Sequence, residues 1–216
     1  MKRKIVLIVV EVILAAAIIG AIWCLTVQIA TPIKWEKDRK SREETVIKKL
    51  KDIRLAQRTY KSKYQRFTAD FDTLTNFILT EQMEGERKLI DEDDSVAMAQ
   101  ARKKYGKKFK NVEKFTFSVK DSLFKHLSVQ QIKELRYIPY TDNQKEFYLE
   151  AQMLATESKV IIPVVECRAP YKAFLDLNKY RQEIINLIDE NVKMDKYPGL
   201  KFGDLNRGSN EAGNWE

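Results

Sequence analysis

Residues able to do covalent or metal chemistry are few in this chain. One histidine, His126, and two cysteines, Cys24 and Cys167, occur among 216 residues. Nucleophilic catalysis needs a nucleophile beside an oriented base, and a zinc or redox centre needs clustered thiols or imidazoles. His126 sits in Phe124-Lys125-His126-Leu127 and reads as a surface or helix-start residue. Neither cysteine has a cysteine neighbour, so a disulfide framework is excluded. The run Asp91-Glu92-Asp93-Asp94 suggests calcium. Counted from Asp91, however, the places where a calcium loop needs Gly and Glu hold Val96 and Arg102. Adjacent acids such as Asp189 and Glu190 point apart on a helix. Neither phosphate-cradling glycine motif occurs. No catalytic residue, metal ligand or cofactor is assigned, and the protein is expected not to be an enzyme. One charge remains conspicuous: Glu11, alone within an apolar run.

That run extends from Ile5 to Ala30, about 39 Å as a helix. A bilayer core takes roughly 20 apolar residues, so residues 5–30 are expected to form a transmembrane helix after a short basic stretch, 1–4. Trp23 near its far end suits an interface. A cleaved signal peptide would stop after a shorter apolar region, whereas here hydrophobicity continues past Ala15-Ala16-Ala17. Basic residues lie on both sides of the run: Lys2, Arg3 and Lys4 before it, and a denser group from Lys34 to Lys49 after it. A plain positive-inside count places the large part in the cytoplasm, whereas a short basic N-terminus before an apolar run also suits a signal-anchor, so the sequence alone leaves orientation open.

Residues 34–66 hold 13 Lys/Arg and 5 Asp/Glu, a net of +8 that equals the formal charge of the whole chain. Val46, Leu50, Ile53, Ala56, Tyr60 and Tyr64 recur at helical spacing, one apolar stripe. Lys48, Lys51, Arg54, Arg58 and Lys61 occupy the other face. A core-packing stripe with a solvated basic back is the expectation, ahead of contact with anionic lipid. Nucleic acid is not an expected partner, because no aromatic residues interleave with the cations. Thr31-Pro32 predicts a kink or short break before this helix.

Hydrophobic residues at 44% and charged residues at 32% allow a packed head over 67–197. A short helix opens near Thr68 or Asp70 with Phe71, Leu74, Phe77 and Ile78 as its apolar face. A second helix is predicted over 95–105, with acids before it and Arg102-Lys103-Lys104 in its last turn. Alternation at Phe115, Phe117 and Val119 predicts a strand. Residues 147–154 and 160–167 predict two more, joined by a polar hairpin loop, with Pro163 marking an edge or a bulge. One or two helical turns are expected over 128–135, and an amphipathic helix over 180–194. The glycine-bearing tail, 198–216, reads as irregular. The fold class is therefore α+β: an N-terminal transmembrane helix continuing into a long amphipathic helix, with a small antiparallel sheet and flanking helices.

Three stretches carry a family resemblance: Val9-Val10-Glu11-Val12-Ile13-Leu14 with Ala17-Ile18-Ile19-Gly20; Leu55-Ala56-Gln57-Arg58-Thr59-Tyr60; and Tyr64-Gln65-Arg66-Phe67-Thr68 followed by Phe71 and Leu74. Together they resemble the type IV pilins and type II secretion pseudopilins over roughly the first third of the chain. Val6 stands where that family's leader has Gly, and Gln65 replaces another usual Gly. The resemblance implies a non-enzymatic, membrane-anchored assembly component of an envelope secretion or pilus-like machine. It implies a single-pass inner-membrane location with the head in the periplasm. The expected partners are the membrane and other protein subunits, its own copies among them. The interaction residues would be Glu11, Val46, Leu50, Ile53, Tyr60 and Tyr64. An anchored periplasmic binding or adaptor protein without filament assembly is the alternative reading.

Overall fold

The computed structural model describes residues 2–91, 94–106 and 111–216; within the first helix, side chains are described at 11–25 and from residue 31 onward. Helix α1 runs from Lys2 to Tyr64, 63 residues or roughly 95 Å. Pro32 lies inside it and no break follows, contrary to the expectation at Thr31-Pro32. A proline removes one hydrogen bond without having to end a helix. Gln65 ends α1 in the left-handed conformation, φ +57°, donating its N–H to Lys61 O at 2.8 Å. This is the position where a Gly was the expected residue.

The expected transmembrane helix is corrected. Among the described residues, no helix is long and apolar enough to cross a membrane. Described side chains in the apolar run cover residues 11–25, about 22 Å of helix against a bilayer core of roughly 30 Å. Residues 5–10 and 26–30, the remainder of the expected span, lie outside the described side chains. The single-pass inner-membrane location and the periplasmic head, which the family resemblance implied and which need that span, are withdrawn with it.

After α1 come α2 (Phe71–Thr80), β1 (Gln82–Lys88), α3 (Ser95–Tyr105), β2 (Val112–Ser118), α4 (Val119–Leu123), α5 (Val129–Lys133) and a 3-10 turn, Glu134–Arg136. Then follow β3 (Tyr148–Ala155), β4 (Ile161–Pro170), α6 (Tyr171–Phe174), α7 (Arg181–Lys193) and β5 (Gly199–Gly203). The class is α+β with a small antiparallel sheet, β3-β4-β5, and a separate two-stranded ribbon, β1-β2.

Local chemistry sets several of these boundaries. Asp70 caps α2, accepting from the Asp72 and Thr73 N–H groups, and Phe71, Leu74, Phe77 and Ile78 turn inward. Asp94 caps α3, accepting from Ala97 N, and Arg102, Lys103 and Lys104 fill its last turn. Glu92 and Asp93 of the acidic run lie outside the described residues. Pro163 sits in the central strand, but in the part of β4 that β5 does not reach. There it faces Met153 of β3, whereas β5 pairs only from Glu166 to Pro170. The tail is not wholly irregular: Gly199–Gly203 forms β5, and Phe202 also bridges to Gly213. Gly203, at φ +77°, lies so close to Val165 O that an added Cβ would stand 1.9 Å from it, so only glycine fits there.

The core lies between α1 and the sheet. Val46, Leu50, Ile53 and Ala56 of α1 join Val165, Cys167 and Ala169 of β4, Leu200 and Phe202 of β5, and the inward face of α2.

Candidate functional site

The residues expected to meet a partner divide into two groups. Val46, Leu50, Ile53 and Tyr60 are buried in this chain's own core. Tyr64 is 41% exposed, but its ring lies 4.6 Å from Tyr60 and its hydroxyl donates to Glu81 Oε1 at 3.1 Å. These five residues bind α1 to the head. Glu11 belongs to the other end of the helix and is exposed there.

Around Glu11, α1 presents an arm. Val12, Ile13, Leu14, Ile18, Ile19, Ile22, Trp23 and Leu25 are all between 56% and 70% exposed. At 100° per residue these positions fall on every side of the helix. Ala16, Ala17, Gly20 and Ala21 lie between them, and a Cβ added at Gly20 would meet no described atom within 4 Å beyond the adjoining turns of its own helix. Helices apolar all round are found buried, and exposed apolar surface of this extent marks an interaction site.

Of the basic face of α1, Lys48 and Lys51 are exposed as expected, but Arg54, Arg58 and Lys61 are engaged by the chain's own C-terminal residues. Arg54 donates to Glu216 Oε1 at 2.7 Å and to Glu211 O at 3.2 Å, and its guanidinium lies 5.8 Å from the Trp215 ring. Arg58 Nε and Lys61 Nζ both reach the buried Glu211 carboxylate, at 3.1 Å and 3.3 Å. Arg58 Nη2 also donates to Asn210 O at 2.9 Å. The chain from 210 to 216 thus lies along the cations of α1, and the Arg54 guanidinium holds the Glu216 carboxyl below its ordinary range. Lys49 donates to Glu134 O at 2.6 Å and Tyr137 O at 2.7 Å, and burial lowers its pKa. Sequence separations of 85 to 162 hide all of these pairings.

The comparisons with known proteins return nothing. No family model, no curated protein and no solved structure matches the chain.

The histidine and the two cysteines stand apart from one another. Among the described residues, no three or more His, Cys, Asp or Glu side chains stand together so as to hold a metal ion. His126 is on the surface, its Nε2 3.1 Å from Asp52 Oδ1. Cys167 is fully buried, and burial pushes its thiol well above the ordinary range, which leaves it unreactive. Cys24 lies exposed on the arm.

Proposed function

We propose that this protein is a non-enzymatic assembly component of the pilin and pseudopilin kind, joined to other protein subunits, its own copies included, through the N-terminal arm of α1. The arm's exposed apolar surface carries this reading: eight large apolar side chains on all sides of one helix, each more than half exposed. One partner helix covers one face of such an arm, so several neighbouring helices are needed to cover it. The division of labour in α1 supports the same reading. Its C-terminal half is consumed by the head, which leaves the arm to bind other chains. The family resemblance over the first third of the chain points in this direction, toward a subunit of a secretion or pilus-like machine.

The test is the size of the full chain in solution, by size exclusion with light scattering. Particles of several chains are expected, and Ile18→Asp, which places a carboxylate on the apolar arm, should reduce them to single chains with a folded head. A wild-type chain that runs as a single monomer, or an Ile18→Asp variant that assembles as before, overturns the proposal.

A further inference from the structure

Where α1 leaves the head, a cavity of about 250 Å³ opens between the helix, the Tyr140 loop and the turn at 175–180. Its walls carry three cations, Arg39, Arg42 and Lys179, and two carboxylates, Asp38 and Asp176, for a net formal charge of +1. Both carboxylates already have partners. Asp38 Oδ2 accepts from Lys179 Nζ and from the Tyr180 hydroxyl, each at 2.7 Å. Asp176 Oδ1 accepts from the N–H groups of Asn178 and Lys179, at 3.1 Å and 3.2 Å.

The two arginines are less well served. Arg42 Nη1 donates to Phe174 O at 2.7 Å, but its Nη2 stands 3.7 Å from Asp176 Oδ2, beyond hydrogen-bond distance. Arg39 Nε is buried and meets no hydrogen-bond acceptor among the described residues; Glu43 Oε1 stands 3.9 Å away. Buried donors are normally satisfied, so the Arg39 guanidinium, which also lines the cavity, is under-served by the chain's own acceptors. Aromatic surface lies beside these donors. The Tyr140 ring centre is 4.6 Å from the Arg42 guanidinium, and Trp35 packs on Tyr180 at 5.1 Å.

We infer that this pocket binds an organic carboxylate, its oxygens on Arg39 and Arg42 and its carbon body against Trp35 and Tyr140. A single negative charge suits the two arginines, whereas a doubly charged phosphate would be repelled more strongly by Asp38, Asp176 and the Glu43 beside Arg39. A planar carboxylate suits a guanidinium edge. The volume is below that of drug-sized sites, so the ligand is a fragment: a small aryl or alkyl acid, or the carboxylate-bearing residue of a peptide.

Titrating the 15N-labelled full chain with benzoate, and following the Trp35 indole N–H signal, tests this. Benzoate should bind with a dissociation constant on the order of 1 mM, as a ligand of that size can. Benzamide, which has the same ring without the charge, should leave the signal in place. Arg39→Gln should weaken benzoate binding at least tenfold. Arg168→Gln, on the sheet and away from the pocket, should leave it unchanged. An N-acetylated dipeptide ending in a phenylalanine carboxylate separates the two sources. Tighter binding than benzoate assigns the pocket to a peptide, and weaker binding assigns it to a small acid. Benzamide binding as well as benzoate, inorganic phosphate moving the signal more than benzoate, or undiminished binding by Arg39→Gln would each overturn the inference. The wild-type comparison of benzoate with benzamide decides the matter even if Arg39→Gln does not fold.

Discussion

Between Val46 and Tyr60, the apolar residues of α1 recur every three or four positions and are buried against α2 and β5. Between Val12 and Leu25, they occur on every side of the same helix and stay exposed. Apolar content and pattern both separate these two regions: 13 of the 14 residues from 12 to 25 are apolar, against 7 of the 15 from 46 to 60. A stripe leaves a polar face that water can keep, so one packing partner completes it. An unbroken apolar cylinder has no such face. The polar face of the stripe is also less idle than its composition suggests, since Glu211 and Glu216 lie along it as fixed partners of Arg54, Arg58 and Lys61.

The sharpest way to break this comparison is to put the same change in both regions. Ile53 is 0% exposed, and Ile53→Asp removes a packed side chain and buries a carboxylate among apolar groups. The expected loss is roughly 5 kcal/mol, enough to unfold the head. Ile18→Asp, at 58% exposure, should change the head's stability to urea by no more than about 0.5 kcal/mol. Equal losses would mean that the arm, too, is part of the folded core.

A smaller effect sharpens the seam between α1 and the turn that follows it. Gln57 is fully buried; its Nε2 donates to Thr68 O at 2.7 Å and its Oε1 accepts from Thr68 N at 3.2 Å. Gln57→Leu fits the space but strands both backbone groups, at a cost of about 2 kcal/mol. A urea midpoint equal to wild type would show that the turn finds other partners. Gln57→Glu should cost more than Gln57→Leu at neutral pH, because it buries a carboxylate with one oxygen facing Thr68 O, and the gap should narrow in acid, where protonation restores a donor.

Gln57 also illustrates what could be read from the sequence. The stripe around it was legible because helical spacing is a local property, and so were α2 and α3, each with an acid at its cap and apolar or basic residues in the right turns. The role of Gln57 was not legible, because a polar residue beside a stripe looks the same whether it is solvated or clamped to a backbone. Strand β1, Gln82–Lys88, carries no β-branched residue; it exists because it pairs with β2, and Gly85 lies under the Phe115 ring. Strand β5 was lost among glycines for the same reason, since its pairing with β4 is non-local. Of the expected interaction residues, the spacing of Val46, Leu50, Ile53, Tyr60 and Tyr64 said that something packs there. It did not say that the something is this chain's own head. The reading of residues 5–30 rested on apolar length, which does not distinguish a lipid-facing helix from one that other chains would cover.

The smallest effect concerns the far border of that seam, the cap of α2. Asp70 Oδ2 accepts from Thr73 N at 2.8 Å and from the Thr73 hydroxyl at 2.5 Å, and Oδ1 accepts from Asp72 N at 3.3 Å. These bonds, with the Thr73 hydroxyl foremost, hold the Asp70 carboxyl below its ordinary value of 3.8. A carboxylate whose folded-state pKa is depressed contributes stability that is present above the unfolded value and is lost as pH falls through the folded one. Asp70→Ala should therefore cost about 1 kcal/mol at neutral pH. That deficit should shrink as the pH drops below the ordinary carboxylate range, because the wild-type cap is then weakened as well. Asp70→Asn keeps an acceptor at the cap and should give a flatter pH profile than wild type, with a smaller loss at neutral pH. Urea midpoints of the three chains across the acid range check this. A deficit in Asp70→Ala that stays constant into strong acid would mean that the charge of Asp70 plays no part, and that α2 is held only by its buried face against α1.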